Sequence, residues 1–128
     1  MIEVYTDGAA SGNPGKSGAG IYIKAAEEIY AYTFPLGMLS NHEAEFHAVI
    51  KALEIYKEQF PGEILSFRSD SRVVVDVIDK NFTKNQTFHP LLKKIQQEAS
   101  HFPYFFIKWI PAKQNHHADQ LARKALHQ

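Results

Sequence analysis

The chain has 128 residues, 45% of them hydrophobic and none of them cysteine, which predicts one domain spanning residues 1–128 and excludes disulfides and thiolate zinc sites. Its 14 basic and 14 acidic residues balance to a formal charge of zero, which neither supports nor excludes a nucleic-acid partner. Because the N-terminus has no basic leader and no apolar run approaches the ~18 residues of a membrane span, a cytoplasmic protein is expected.

The first third of the chain predicts an antiparallel meander. Residues 2–6 alternate in the manner of a strand, and residues 8–18 are rich in glycine and contain the turn sequence Asn13-Pro14-Gly15. Two further strands are predicted at residues 19–24 and 28–34. The meander therefore consists of three short strands, with a long glycine-rich loop after the first.

Helices dominate the rest. Ser40 and Glu43 have capping-box spacing and predict the start of a helix, which Pro61-Gly62 ends. The later predicted elements are a strand (63–70), a short helix (71–79), a polar loop (80–87), a helix with Pro90 in its first turn, an aromatic strand (104–110) and a final helix capped by Asn115. Trp109 and the aromatic residues at 102–106 are expected to lie in the core.

The order of elements is βββαβααβα. Consecutive strands favour antiparallel pairing, whereas strands separated by helices favour parallel pairing. The sequence thus predicts an α/β fold with a mixed five-stranded sheet, its first three strands antiparallel and the others parallel, flanked by helices.

Four acidic residues stand where a folded domain would not need a charge. Asp7 and Asp70 end strand patterns, while Glu45 and Asp119 lie inside amphipathic helical patterns beside apolar residues. Singly, each has a structural explanation: Asp7 opens a turn, Asp70 caps a helix, and the other two favour the positive end of a helix dipole. Ligands collect beyond the carboxyl ends of parallel strands, and partly buried carboxylates repel one another unless an ion holds them.

A divalent-cation site explains all four residues together. Oxygen ligands suit Mg²⁺ or Mn²⁺, and four carboxylates are appropriate for two ions held ~4 Å apart across a phosphodiester. One ion of such a pair activates water and the other stabilises the leaving oxygen, so no serine or cysteine nucleophile is required.

The motifs around these residues resemble those of type 1 ribonuclease H, and four of them occur in the family's order over roughly residues 1–126. They are Thr6-Asp7-Gly8-Ala9 with the following glycine-rich segment, Asn41-His42-Glu43-Ala44-Glu45, Ser69-Asp70-Ser71, and Trp109-Ile110-Pro111 with Asn115-His116-His117-Ala118-Asp119.

The resemblance implies a ribonuclease H-like fold and hydrolysis of the RNA strand of RNA–DNA hybrids. It implies that Asp7 bridges two Mg²⁺ ions (Mn²⁺ is the alternative), that Asp119 helps to hold the water-activating ion, and that Glu45 and Asp70 hold the other. Residues expected to bind the nucleic acid are Asn13, Ser40, Asn41, Ser71 and Arg72. The glycine-rich segment 8–20 is expected to let the backbone approach the nucleic acid.

The chain departs from the family pattern near the substrate. The loop before the last helix, residues 112–115, lacks the family's histidine, so Lys113, His116 or His117 are the auxiliary candidates. His42 and Arg72 replace polar amides, and the basic helical protrusion that grips the hybrid is missing. These departures predict weak affinity or another substrate preference.

Two alternatives therefore remain open. One is a non-catalytic nucleic-acid-binding module with the same fold, and the other is a metal nuclease with a different nucleic-acid substrate. A monomer is expected, and the sequence identifies no protein partner.

Overall fold

A computed structural model describes residues 2–128, and within them five strands and four α-helices follow one another in the predicted order. The elements are β1 (Ile2–Ala10), β2 (Gly15–Ala25), β3 (Glu28–Leu39), α1 (Asn41–Gln59), β4 (Leu65–Ser69), α2 (Arg72–Lys80), α3 (His89–Ala99), β5 (Phe105–Trp109) and α4 (His116–Ala125). A 3-10 turn at Ala112–Gln114 precedes α4. In this part of the chain, no helix combines the length and apolarity that a membrane crossing requires.

The five strands form one sheet in the order β3-β2-β1-β4-β5. β1 pairs antiparallel with β2, and β2 pairs antiparallel with β3. β4 runs parallel to both β1 and β5. The predicted mixed sheet is confirmed. Because β1 and β4 are parallel, their carboxyl ends point towards the same end of the sheet.

The predicted start of α1 is confirmed in atomic detail. Ser40 Oγ accepts a hydrogen bond from the Glu43 amide at 3.2 Å, and Glu43 Oε1 accepts one from the Ser40 amide at 3.0 Å. The helix buries residues on a broad face, including Phe46, Val49 and Leu53, against the sheet. This capping box fixes where the helix starts, and with it the position of Glu45 in the first turn and a half.

The loop predicted at 8–18 is present but shorter, because β1 continues to Ala10 and β2 starts at Gly15. At Gly8 of β1 and Gly20 of β2 a side chain would collide with a helix. A Cβ on Gly8 would lie 2.3 Å from the Ala44 carbonyl carbon in α1, and one on Gly20 would lie 2.1 Å from the Ala118 oxygen in α4. Gly8 and Gly20 thus allow the two helices to approach opposite faces of the sheet, which gives these two glycines a packing role.

The expectation that all the aromatic residues near β5 belong to the core is also wrong. Phe102 is buried, but Tyr104 and Phe106 are 59% and 54% exposed. β5 lies at the sheet edge, and α4 packs on β1, β2 and β3. On the face of the sheet that carries α4, the side chains of the edge strand β5 therefore remain open to solvent.

Candidate active site

The register between β1 and β4 places two carboxylates side by side. Thr6 pairs with Ser69 in the last matched pair of these parallel strands, so Asp7 and Asp70 are the next residue on each. The backbone amide of Ile110 donates to the Ser69 oxygen at 2.9 Å, which ties the end of β5 to the same point. Asp7 and Asp70 therefore lie side by side where the pairing of β1 with β4 ends, while β1 continues its pairing with β2 to Ala10.

Glu45 approaches these two residues from α1. The close contact between Gly8 and the Ala44–Glu45 backbone sets the helix directly over β1. One carboxylate oxygen each from Asp7, Glu45 and Asp70 lies within 4.8 Å of the others. Asp7 is only 4% exposed, and Glu45 Oε2 is buried without a hydrogen-bond partner among the described residues. Three predicted acidic residues are thus brought together in space.

Burial and mutual repulsion make this cluster hard to ionise. Burial, followed by the charges of Glu45 and Asp70, raises the pKa of Asp7 to about 11. Burial likewise raises the pKa of Glu45 to about 8, and the pKa of Asp70 is also raised, chiefly by burial. Without a cation the cluster retains protons near neutrality. A bound cation would favour the charged carboxylates.

Asp119 occupies a different position from the other three. It lies in the first turn of α4 and lines the same cleft of about 370 Å³, here called the carboxylate cleft, with Asp7, Glu45, Asp70 and Arg123. Its carboxylate is close enough to raise the pKa of Asp7. However, both of its oxygens accept hydrogen bonds from Arg123 Nε, and it is not part of the three-carboxylate group. The predicted quartet is thus a triad with a fourth carboxylate held at its rim.

Asn115 joins α4 to this site in a way that sequence did not predict. It occupies the N-cap position of α4, but its side chain makes no capping hydrogen bond, so the predicted cap is wrong. Instead, Asn115 Nδ2 donates to the Thr6 carbonyl at 2.9 Å, beside Asp7, and the residue is 1% exposed. Its amide also lowers the pKa of Asp70, opposing the effect of burial. Asn115 therefore connects the start of α4 with the carboxylates of β1 and β4.

A second cleft adjoins the first and is formed partly by Arg72. This arginine cleft, of about 500 Å³, is lined by Asn41, Asp70, Arg72 and Trp109, among others. The Arg72 guanidinium lies 3.8 Å from the centre of the Trp109 ring, and Trp109 Nε1 donates to the Asp70 carbonyl at 3.1 Å. Trp109, which was predicted to be a core residue, thus supports a cation beside the carboxylates.

The other residues predicted to bind nucleic acid also stabilise the fold. Asn13 Oδ1 accepts a hydrogen bond from the Asn41 amide at 3.2 Å, which ties the β1–β2 hairpin to α1. Ser40 caps α1, and Ser71 caps α2 by accepting from the Val74 amide at 3.3 Å. Asn41, Ser71 and Arg72 line the arginine cleft, whereas Asn13 and Ser40 do not line it and adjoin it only through Asn41.

The auxiliary candidates do not meet the carboxylates. Lys113, His116 and His117 line a separate pocket together with Tyr5 and Tyr22. His117 stacks on Tyr22, with ring centres 4.3 Å apart and planes 8° from parallel. His117 is thus held over β2, and none of the three residues lines the carboxylate cleft.

Comparison with known proteins gives consistent matches. The model of the RNase H family matches residues 1–127. The Enterococcus faecalis protein named "Putative hydrolase EbsB" is 44% identical over 98% of this chain and 94% of its own length. A Ribonuclease H of Chlorobium phaeobacteroides is 40% identical over 67% of this chain, but the match spans only 57% of that relative.

Solved structures share the fold over almost the whole chain. The RNase H1 of the halophilic archaeon Halobacterium salinarum superposes with a TM-score of 0.91 at 27% identity, covering 98% of this chain and 97% of that one. LC11-RNase H1, solved in complex with an RNA/DNA hybrid, gives a TM-score of 0.90 at 28% identity, covering 99% and 97%.

Proposed function

Because this chain belongs to the RNase H family, we propose that it is an endoribonuclease that hydrolyses the RNA strand of RNA–DNA hybrids with two Mg²⁺ ions. Mn²⁺ is the alternative ion. The observation that carries the proposal is the convergence of Asp7, Glu45 and Asp70, whose carboxylate oxygens lie within 4.8 Å of one another.

The donor set fits hard divalent cations. All three side chains offer oxygen, which Mg²⁺ and Mn²⁺ prefer, and Glu45 Oε2 is a buried acceptor that lacks a partner among the described residues. Burial and like charge oppose ionisation here, so a cation would relieve the repulsion. Two such ions would supply an activated water and a stabilised leaving oxygen at the phosphodiester.

The protein residues have distinct roles in this proposal. Asp7 interacts with Glu45, Asp70 and Asp119 alike, so it is the residue that would be shared by both ions. Glu45 and Asp70 would hold the ion nearer to the arginine cleft. Asp119 would exchange its Arg123 partner for the second ion, since it lines the same cleft.

The substrate proposal rests on the family and on the arginine cleft. LC11-RNase H1, which has the same fold, was solved with an RNA/DNA hybrid. In this chain, Asn41 and Arg72 flank the carboxylates and offer an amide and a guanidinium to a nucleic-acid strand. An amide can hydrogen-bond the 2′-hydroxyl that distinguishes RNA from DNA, and a guanidinium pairs well with phosphate.

A panel of nucleic acids tests this proposal. Purified protein is incubated with an RNA–DNA hybrid, double-stranded RNA, single-stranded RNA and double-stranded DNA, each with Mg²⁺, Mn²⁺ or EDTA. We expect metal-dependent cleavage of the RNA in the hybrid that leaves 5′-phosphate ends, and loss of cleavage in Asp7→Asn. Asp76→Asn, the same change on the exposed face of α2, should retain full activity. An intact hybrid at high enzyme excess with either metal would rule out the proposal.

A nuclease of the same fold with another nucleic-acid substrate is the second candidate. The α2–α3 connection, residues 81–88, contains Lys84 as its single basic residue, which offers little grip on a hybrid backbone. Preferential cleavage of another substrate in the panel would identify this case. Metal-independent binding without cleavage, unchanged in Asp7→Asn, would instead identify a non-catalytic binding module.

We propose further that the protein is a cytoplasmic monomer. The absence of cysteine supports a reducing compartment. Size-exclusion chromatography with light scattering would test the monomeric state.

A further inference from the structure

We propose that a pocket on the opposite side of Asn115 from the carboxylates binds a single nucleotide unit, either as a free nucleoside monophosphate or as an unpaired residue of a strand. This tyrosine pocket is formed by Tyr5, Tyr22, Lys24, Lys113, Gln114 and His117, with Asn115 and His116 completing its lining. None of these residues belongs to the carboxylate triad, so the proposal does not depend on the proposed function.

The fold places the pocket on the face of the sheet that carries α4. Gly18 and Gly20 of β2 contact α4, and by strand alternation Tyr22 and Lys24 continue on the same face just beyond the start of that helix. Tyr5 pairs with Tyr22 across β1 and β2. The loop that precedes α4 closes one side with Lys113. The sheet thus forms the floor, and the loop and the helix form the wall.

The size and the aromatic floor suit a nucleobase. The volume is about 380 Å³, within the ~300–1,000 Å³ range typical of small-molecule sites. The rings of Tyr5 and Tyr22 meet edge to face, with centres 6.1 Å apart. His117 already stacks on Tyr22 at 4.3 Å and 8°, so a base that stacks on this face of the tyrosine would take the place of the imidazole. Stacking on such rings holds a base of any identity.

The charged groups suit a phosphate next to that base. Lys24 Nζ lies 5.7 Å from the centre of the Tyr5 ring, and exposed Lys113 of the loop lines the same pocket. Among the described residues that line the pocket, none is acidic. Glu3 lies nearby, but it accepts the Tyr5 hydroxyl at 3.1 Å and pairs with Arg68 at 3.5 Å, so its charge is already balanced.

Polar groups at the wall complete the match. Gln114 lines the pocket with an exposed amide that can donate to and accept from the edge of a base. An aromatic floor, two amines and an amide within one cavity correspond to the stacking surface, the phosphate and the hydrogen-bonding edge of a nucleotide. A purely inorganic anion would use only the amines, and an apolar ligand would use only the rings.

NMR titration of the full-length protein in EDTA tests the proposal. Backbone amide spectra are recorded with AMP, adenosine, inorganic phosphate and a short single-stranded adenylate tetranucleotide. We expect AMP to shift signals of residues 5, 22–24 and 113–117, with a dissociation constant in the micromolar to millimolar range, and to bind more tightly than adenosine or phosphate. Stronger binding of the tetranucleotide at the same residues would support the strand as the source, and stronger binding of AMP would support the free nucleotide.

Two variants distinguish binding in the tyrosine pocket from non-specific binding of AMP. Lys24→Gln with Lys113→Gln should weaken AMP binding about tenfold, and Tyr22→Leu should weaken it at least about fivefold through lost stacking. Lys57→Gln, at the far end of α1, and Tyr104→Leu, at the exposed residue before β5, should leave binding unchanged.

Three results would overturn the proposal. They are no shifts in the tyrosine pocket at millimolar AMP, equal binding of phosphate and AMP, and weakening by the control variants as large as that by the lysine pair. Because Mg²⁺ is absent, the result is independent of cleavage: loss of nuclease activity in Asp7→Asn does not bear on it, and failure of AMP to bind leaves the proposed nuclease unaffected.

Discussion

Arg123 Nε donates to both carboxylate oxygens of Asp119, at 3.1 and 3.0 Å. The two residues are four positions apart on α4, and the Arg123 side chain is 68% exposed. This pair keeps Asp119 at the rim of the carboxylate cleft while the other three carboxylates converge. An exposed ion pair of this kind is worth about 1 kcal/mol or less, so a divalent cation can displace it.

We expect Arg123→Gln to bind Mg²⁺ more tightly, because Asp119 then has no competing partner. The Mg²⁺ concentration at half saturation should fall about two- to fivefold, which corresponds to the energy of an exposed pair. Isothermal titration without nucleic acid measures it. Lys124→Gln, which removes the same charge from the next residue, is the control. Weaker Mg²⁺ binding in Arg123→Gln would contradict this view of the pair.

The stability of the metal-free protein should fall as pH rises. The folded pKa values of Asp7 and Glu45 are about 11 and about 8, above the unfolded values near 4, so the folded state holds protons that the unfolded chain releases. Their contribution is therefore full below about pH 4 and is lost between about pH 4 and pH 8 for Glu45, and over a wider range for Asp7. Urea unfolding in EDTA at pH 5 and pH 8 measures this loss.

Asp7→Asn should reduce that pH dependence, since the amide cannot ionise. We expect the variant to be more stable than the wild type at pH 8 in EDTA, by on the order of 2 kcal/mol, and to lose the stabilisation that Mg²⁺ gives. Asp76→Asn on the exposed face of α2 serves as the control. A variant less stable than the wild type at pH 8 without metal would show that the cluster is not electrostatically strained.

Gly20→Ala should separate α4 from the sheet. The added methyl would lie 2.1 Å from the Ala118 oxygen and 2.4 Å from the Ala122 nitrogen, both backbone atoms that cannot move without the helix. Overpacking of this kind costs about 1–3 kcal/mol or more. We expect a loss in this range in the free energy of unfolding, and weaker Mg²⁺ binding because Asp119 moves with α4.

Gly62→Asn is the matched control for that glycine. Gly62 has a φ of +80° and open space around it, and asparagine tolerates this conformation better than other side chains do. Its stability should change by well under 1 kcal/mol. Equal losses in the two variants would indicate a general effect of replacing glycine rather than the α4 contact.

Arg72 should contribute to substrate affinity rather than to the chemical step. It lies 3.8 Å from the Trp109 ring in the arginine cleft, where it can face a phosphate. If the protein cleaves hybrids as proposed, Arg72→Gln should raise KM about three- to tenfold with little change in kcat, and should lower the salt dependence of binding by about one charge. Steady-state kinetics at two salt concentrations measure both effects.

Arg72→Lys distinguishes stacking from charge. Lysine retains the charge but lacks the flat guanidinium that stacks on Trp109, so an intermediate KM is expected. Lys57→Gln should behave as the wild type. A drop in kcat at unchanged KM for Arg72→Gln would place Arg72 in the chemical step instead.

Patterns along the chain predicted much of the fold. The Ser40–Glu43 capping box depends on residues three apart, and so its geometry could be foreseen from their types. Strand alternation and helix periodicity likewise predicted the element order and the mixed sheet. The extent of the glycine-rich loop was predicted less well. A glycine in a loop and a glycine in a strand against which a helix packs, such as Gly20, look alike in sequence.

The sequence by itself determined the order of the elements and the start of α1. It also identified four acidic residues within motifs that resemble those of type 1 ribonuclease H. Only the tertiary structure decided that Asp7, Glu45 and Asp70 converge while Asp119 pairs with Arg123, that Asn115 bonds to β1 rather than capping α4, and that Tyr104 and Phe106 are exposed. The physical reason is the separation along the chain over which each interaction acts. Propensity and capping act between neighbours in the chain, whereas burial and ion pairing depend on which side chains the completed fold places beside each group.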